Sequence, residues 1–171
     1  MPGTSAGESR FWQFSLDFYS SAKVRQACLE LQDRAGADVN VLFFVLFLAT
    51  HQRKLNRADV TRIDAAIKAW REQAVLPLRA LRRQLKTGIA PLSTADTDDF
   101  RSAVKRIELE AERLEQQWLE RNLPPASIGE IASSKIAAAQ ANVAAYNESL
   151  DGVPDAPVVT LLFEFSTYVA R

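Results

Sequence analysis

The sequence predicts an all-α fold: a single bundle of six or seven helices with a long antiparallel helical hairpin in its second half. Three observations carry this. Val41 to Ala49 is an unbroken run of nine apolar residues, directly preceded by the polar Asp38 and Asn40. Elsewhere, apolar residues recur at alternating steps of three and four, the spacing of one helix face. The one stretch rich in strand-forming residues, near the C-terminus, has no obvious partner strand.

The elements follow in order. Ser9 or Arg10 to Ser20 reads as a short helix, with Gln13, Asp17 and Ser20 as its polar stripe and an aromatic load that seeks burial. "SAKVRQACLELQDRAG" places Val24, Ala27, Cys28 and Leu31 on one face. Ser20 or Ser21 caps its start, and Gly36 suits the left-handed residue that ends a helix. Asp38 then offers a carboxylate to the first free N–H groups of a third helix, at the positive end of its dipole. Asn40 bonds outward in the first turn. Apolar around its whole circumference, this helix belongs at the centre of a bundle.

A fourth segment starts at the cap Asn56 and runs towards Gly88. Its stripe of Val60, Ile63, Ile67, Trp70, Ala74, Leu78, Leu81 and Leu85 survives Pro77, which predicts a kinked helix. "TGIAPLSTADTD" is a loop. Phe100, Val104, Ile107, Ala111, Leu114 and Trp118 step 4-3-4-3-4, as do Ala132, Ile136, Ala139, Val143, Tyr146 and Leu150. Joined by a short Pro-Pro turn, these stripes predict a hairpin over 95–150 with a coiled-coil-like seam. The alanine-rich second arm lets another helix approach closely. In the tail, 155–170, Thr160, Glu164 and Thr167 form one polar stripe on an otherwise apolar helix, which Asp155 can cap.

The layout is therefore a disordered stretch 1–8 and one helical domain 9–171, with 9–88 as its core. At 171 residues, 47% apolar and 25% charged, the chain is long enough for a real core. A formal net charge of zero disfavours a nucleic-acid binder, which needs a basic surplus to neutralise phosphates. The zero hides an asymmetry: residues 1–90 hold fourteen Lys/Arg against eight Asp/Glu, and 91–171 hold seven against thirteen. Such halves pack against each other or against a second copy.

Cys28 and His51 are the only residues of their types, which excludes an internal disulfide and a zinc site built from several Cys/His ligands. No metal or cofactor is expected. The polar N-terminus lacks the apolar region of a secretory signal. The nine-residue run is far short of the roughly 20 residues that a membrane span needs. A cytoplasmic protein is expected.

No motif for nucleophilic catalysis, phosphate cradling or metal binding is present, so no catalytic residue is assigned. Arg79, Arg82 and Lys86 share one face of "PLRALRRQLK" and are candidates for an anion clamp, since arginine forks match carboxylate or phosphate oxygens. The plainer reading, and the preferred one, is that they offset the dipole of their own helix. Asp38 and Asn40 could orient a polar ligand, or serve only as cap and first-turn residue. Asp17, Gln32, Asp33, Asp38, Asn40 and Arg79 would line an interhelical polar pocket if one exists. His51 reads as a surface histidine at a helix end, with proton carrier as the alternative. Cys28 reads as an inert core residue, and Trp12, Trp70 and Trp118 as core or interface anchors.

"FWQFSLDFYS" (11–20), "ACLELQDRAGADVNVLFFVLFLA" (27–49) and "WREQAVLPLRALRRQLK" (70–86), taken in order, resemble an uncharacterised family of small, all-helical proteobacterial proteins of unknown function. The resemblance covers about residues 11 to 86 and weakens beyond them. It implies a bacterial cytoplasmic protein and carries no activity, cofactor or catalytic residue with it. The residues themselves favour a non-enzymatic interaction or assembly protein with a protein partner or as a homodimer. The alternative is a small-ligand-binding or enzymatic bundle.

Overall fold

Every residue from Val41 to Ala49 is buried in the computed structural model, which describes residues 9–171. The predicted disorder of 1–8 lies outside the described residues. The central helix α3, Val39–Thr50, starts where expected: the Asp38 carboxylate accepts the N–H groups of Asn40 at 2.9 Å and Val41 at 3.4 Å. Tyr146 Oη accepts the backbone N–H of Asp38 at 2.8 Å and holds the same cap from outside the helix. A capping carboxylate satisfies donors that a helix start leaves open and sits at the favourable end of its dipole.

Upstream, α1 spans Arg10–Tyr19 behind the cap Ser9, and α2 spans Ala22–Ala35 behind Ser21. Gly36 ends α2 with φ 65°, a conformation that costs glycine little. Phe11 lies 5.1 Å from Phe44 and Phe14 lies 5.9 Å from Phe47, ring to ring, so the aromatic face of α1 closes over α3. Burial pushes the Cys28 thiol up to about 12. At 1% exposure it sits among the core residues of α2, as its place on the apolar stripe predicts.

The expected fourth helix is α4, Arg57–Trp70, continued by a π-helical turn, Arg71–Val75, and by α5, Leu76–Leu85. Asn56 and Asp59 cap its start reciprocally, each side chain accepting the other's N–H at 3.0 Å. Pro77 is accommodated by widening the preceding turn, a π-bulge, so the helix runs on through it. Counted this way, the described residues hold seven helical rods: α1, α2, α3, α4 with α5, α6 (Asp98–Asn122), α7 (Lys135–Asn147) and α8 (Asp155–Val169).

Two details differ from the sequence reading. The link between α6 and α7 is longer than a Pro-Pro turn. After a short 3-10 turn at Pro125–Ser127 it enters a two-residue strand β2, Glu130–Ile131, which pairs antiparallel with β1, Arg53–Lys54. Gly129 is required just before it, because at φ 70° a Cβ would stand 2.6 Å from the Lys54 carbonyl oxygen. Second, the α6 stripe is not one continuous buried seam. Val104 and Ala111 are buried, whereas Phe100, Ile107 and Leu114 face solvent.

The described residues fall into two compact units, one of residues 9–64 with 116–171 and the other of 65–115. In the first, α3 packs on α7, α7 on α8 and α8 on α2, while α1 touches both α2 and α3. Alanines 138, 139 and 145 are the buried small residues of α7, the composition that lets backbones come close. Asn142 is wholly buried: its Oδ1 accepts the Leu55 N–H at 2.7 Å, and its Nδ2 donates to the carbonyls of Val45 and Arg53 at 2.8 and 2.9 Å. The second unit contains the end of α4, α5 and most of α6.

Candidate functional site

In the second unit, Arg79 and Arg82 turn their forks inward. Arg79 donates to Glu108 at 3.1 Å and to Glu112 at 2.7 Å, and Arg82 donates to the same Glu108 carboxylate. These pairs join the basic half of the sequence to the acidic half. Burial disfavours the charged form of Glu108, but hydrogen bonds and attraction from Arg82 and Arg79 outweigh it and hold the carboxyl below its usual range. Burial also works against charge on Arg79, and Glu112 and Glu108 outweigh it.

Because the folded pKa of Glu108 is depressed, its contribution to stability is fully present above the unfolded value, about 4.3. It is lost as pH falls through the folded value. Glu108→Gln is expected to cost about 2 kcal/mol at neutral pH, since two partly buried guanidinium groups lose a shared anion. In acid titrations followed by circular dichroism the variant should lose less stability than the parent below pH 5. Parallel acid curves would refute the assignment.

The other sequence candidates are dispersed. Asp38 is the α3 cap. Asn40 is buried and accepts Gln116 Nε2 at 2.8 Å, so it bonds inward to α6 rather than outward as expected. Gln32 and Asp33 sit in the last turns of α2, and the exposed Lys86 caps the end of α5. His51 caps α3 and is exposed. Of the three tryptophans, Trp70 stays exposed on one side while its Nε1 donates to the Ala111 carbonyl at 3.0 Å. Asp17 borders a shallow cleft of about 400 Å³ in the first unit, together with Thr50, Lys135, Tyr168 and Arg171. Burial, and then the Asp17 charge, raise the Tyr168 hydroxyl above its ordinary value.

A different surface of the first unit stands out physically. The outer face of α8 presents Ala156, Val159, Phe163 and Thr167, with Val159 65% and Phe163 62% exposed. From Ala156 to Thr167 it carries no charged side chain; exposed Asp155, one turn before Val159, closes its N-terminal end. Glu164, the one charge within the body of α8, lies at the edge of this face and is held by Ser21 Oγ at 3.0 Å and Lys23 Nζ at 3.7 Å. A groove of about 630 Å³ runs beside Phe163 between α8 and α2, lined by Ala27, Pro157 and Val159 among others. A smaller one of about 230 Å³ lies on its other side, against Ile136 and Ala139 of α7. Large exposed apolar side chains without intervening charge are the composition of an interface core.

The sequence pattern marks Thr160, Glu164 and Thr167 as one polar stripe, of which Thr160 and Glu164 are half-buried and only Thr167 lies on this exposed face. The signal for the face itself was the i, i+4 pair Val159 and Phe163, which leaves the helix apolar on nearly every side.

Among the described residues no group of side chains could hold a metal ion, and no helix is long and apolar enough to cross a membrane. A family model described as "Protein of unknown function (DUF2390)" matches residues 10–119. No curated protein and no solved structure matches the chain.

Proposed function

Since the chain belongs to the DUF2390 family of proteins of unknown function, we propose from its own chemistry that it is a protein-interaction or assembly factor rather than an enzyme. The observation that carries this is the outer face of α8, free of charge from Ala156 to Thr167, with Val159 and Phe163 in solvent. Burying such side chains is worth about 1.5–3 kcal/mol each, and a folded chain gains nothing by leaving two adjacent ones wet. Phe100, Ile107 and Leu114, one heptad apart on α6, give the second unit an exposed stripe of its own. The sequence's arginine candidates add no open anion clamp here, because Arg79 and Arg82 engage carboxylates of the same chain.

Small-ligand binding is a second reading, favoured by the cleft beside Asp17, whose rim mixes that carboxylate with Lys135 and Arg171. Native mass spectrometry of protein purified from its own host separates the two. The interaction reading expects a mass above the 19.0 kDa of the chain, added by another polypeptide and lost in Val159→Ser/Phe163→Ser. A stoichiometric small adduct on a single chain, unaffected by that variant, favours the cleft. A bare chain at every concentration refutes the interaction reading.

A further inference from the structure

We propose that a second copy of this chain covers the outer face of α8, with the two α8 helices antiparallel across a two-fold axis. This rests on the interaction reading above and names its partner.

The shape comes first. Phe163 stands as a knob between two hollows, about 630 Å³ towards α2 and about 230 Å³ towards α7. A two-fold contact uses the same patch on both subunits, so the patch must contain both knob and hollow. This one does. Antiparallel apposition centred between Val159 and Phe163 lays each Phe163 over the Val159 end of the other copy, where the larger groove opens.

Charge complementarity selects the partner and the direction. The start of α2 meets α8 late in the latter helix: Ser21 and Lys23 both reach Glu164. Few residues of α8 lie beyond that point, so α2 runs back towards Asp155, antiparallel to α8. Along its groove-lining side come Lys23, Gln26 and Glu30, a cation, a neutral amide and an anion spread over two helical turns, about 10 Å.

A two-fold axis perpendicular to α8, at the level of Gln26 and Thr160, sets α2 against its own copy with direction reversed. Lys23 then faces Glu30 of the second copy, Gln26 faces Gln26, and Glu30 faces Lys23. A two-fold axis parallel to α8 sets α2 against α7 and forfeits both pairs. The present partners do not oppose the exchange. Lys23 is 71% exposed beside Glu164, and Glu30 binds Arg34 within its own helix; exposed pairs of this kind hold weakly.

Sedimentation velocity over a concentration series at low salt, with circular dichroism as the control for folding, tests the arrangement. The 171-residue chain should dimerise. Lys23→Glu alone and Glu30→Lys alone should each weaken the dimer about tenfold, because each replaces two attractions with two repulsions. Lys23→Glu together with Glu30→Lys should recover affinity to within about twofold, since the pairing is then merely inverted. Phe163→Ser should weaken it about 100-fold.

A dimer indifferent to Phe163→Ser, or a charge swap that fails to recover, overturns the proposal. A monomer at all concentrations overturns it too. If that monomer still binds a different polypeptide through Val159 and Phe163, only the second-copy inference falls; if it binds none, the interaction reading falls with it.

Discussion

Replacing Asn142 with alanine should destabilise the first unit by about 4 kcal/mol, because the buried Leu55 N–H, the buried Val45 carbonyl and the half-buried Arg53 carbonyl lose this partner together. Asn142 is 0% exposed, so water cannot take over those bonds without opening the packing around it. Its amide ties α7 to three places: to the start of β1 at Arg53, to Leu55 just before the α4 cap, and to the body of α3 at Val45. Hydrogen exchange gives the sharpest readout. The Leu55 amide should exchange far faster in the variant than in the parent, ahead of the Phe44 and Val45 amides inside α3. A protected Leu55 amide together with an unchanged urea midpoint would show that this clamp does not hold α7 to the chain.

Phe44→Ala is expected to cost about 3–5 kcal/mol, the range for deleting a buried aromatic ring and leaving a cavity. In a chain of this length that corresponds to a fall in melting temperature of roughly 10 °C. Phe44 is 0% exposed, and its ring lies 5.1 Å from Phe11 and 6.3 Å from Phe47. Phe11 is held from following the missing ring because α1 is tied at its start, where Ser9 Oγ donates to Glu120 at 2.5 Å. Phe163→Ser, which removes an exposed ring of the same size, serves as the contrast. At protein concentrations too low for association its melting temperature should move by no more than 2 °C or so. If Phe44→Ala melts with the parent in differential scanning calorimetry, α3 is not the centre of the core.

Much of this fold was legible residue by residue. Asp38 as a cap, Gly36 as a left-handed stop, and the all-round burial of Val41–Ala49 depend on the backbone of one helix and on its mean polarity. Those interactions span a few residues, and so a linear reading suffices. The alanines of α7 likewise announced a close neighbour, which proved to be α3.

Where the reading stopped is equally physical. Helical spacing says which side chains share a face, but not how much of that face a neighbour covers. On α6 the stripe divides into buried Val104 and Ala111 and exposed Ile107 and Leu114. Pairing over long separations was out of reach for the same reason. Asn40 with Gln116, Arg79 with Glu108, and Asn142 with Leu55 join residues that only folding brings together.

The candidate surface shows the division most plainly. Local pattern established that α8 is a helix rich in apolar residues, since that follows from short-range propensity and period. Which of its sides stays wet depended on where α2 and α7 came to rest against it, because burial is a property of the neighbours and not of the residue.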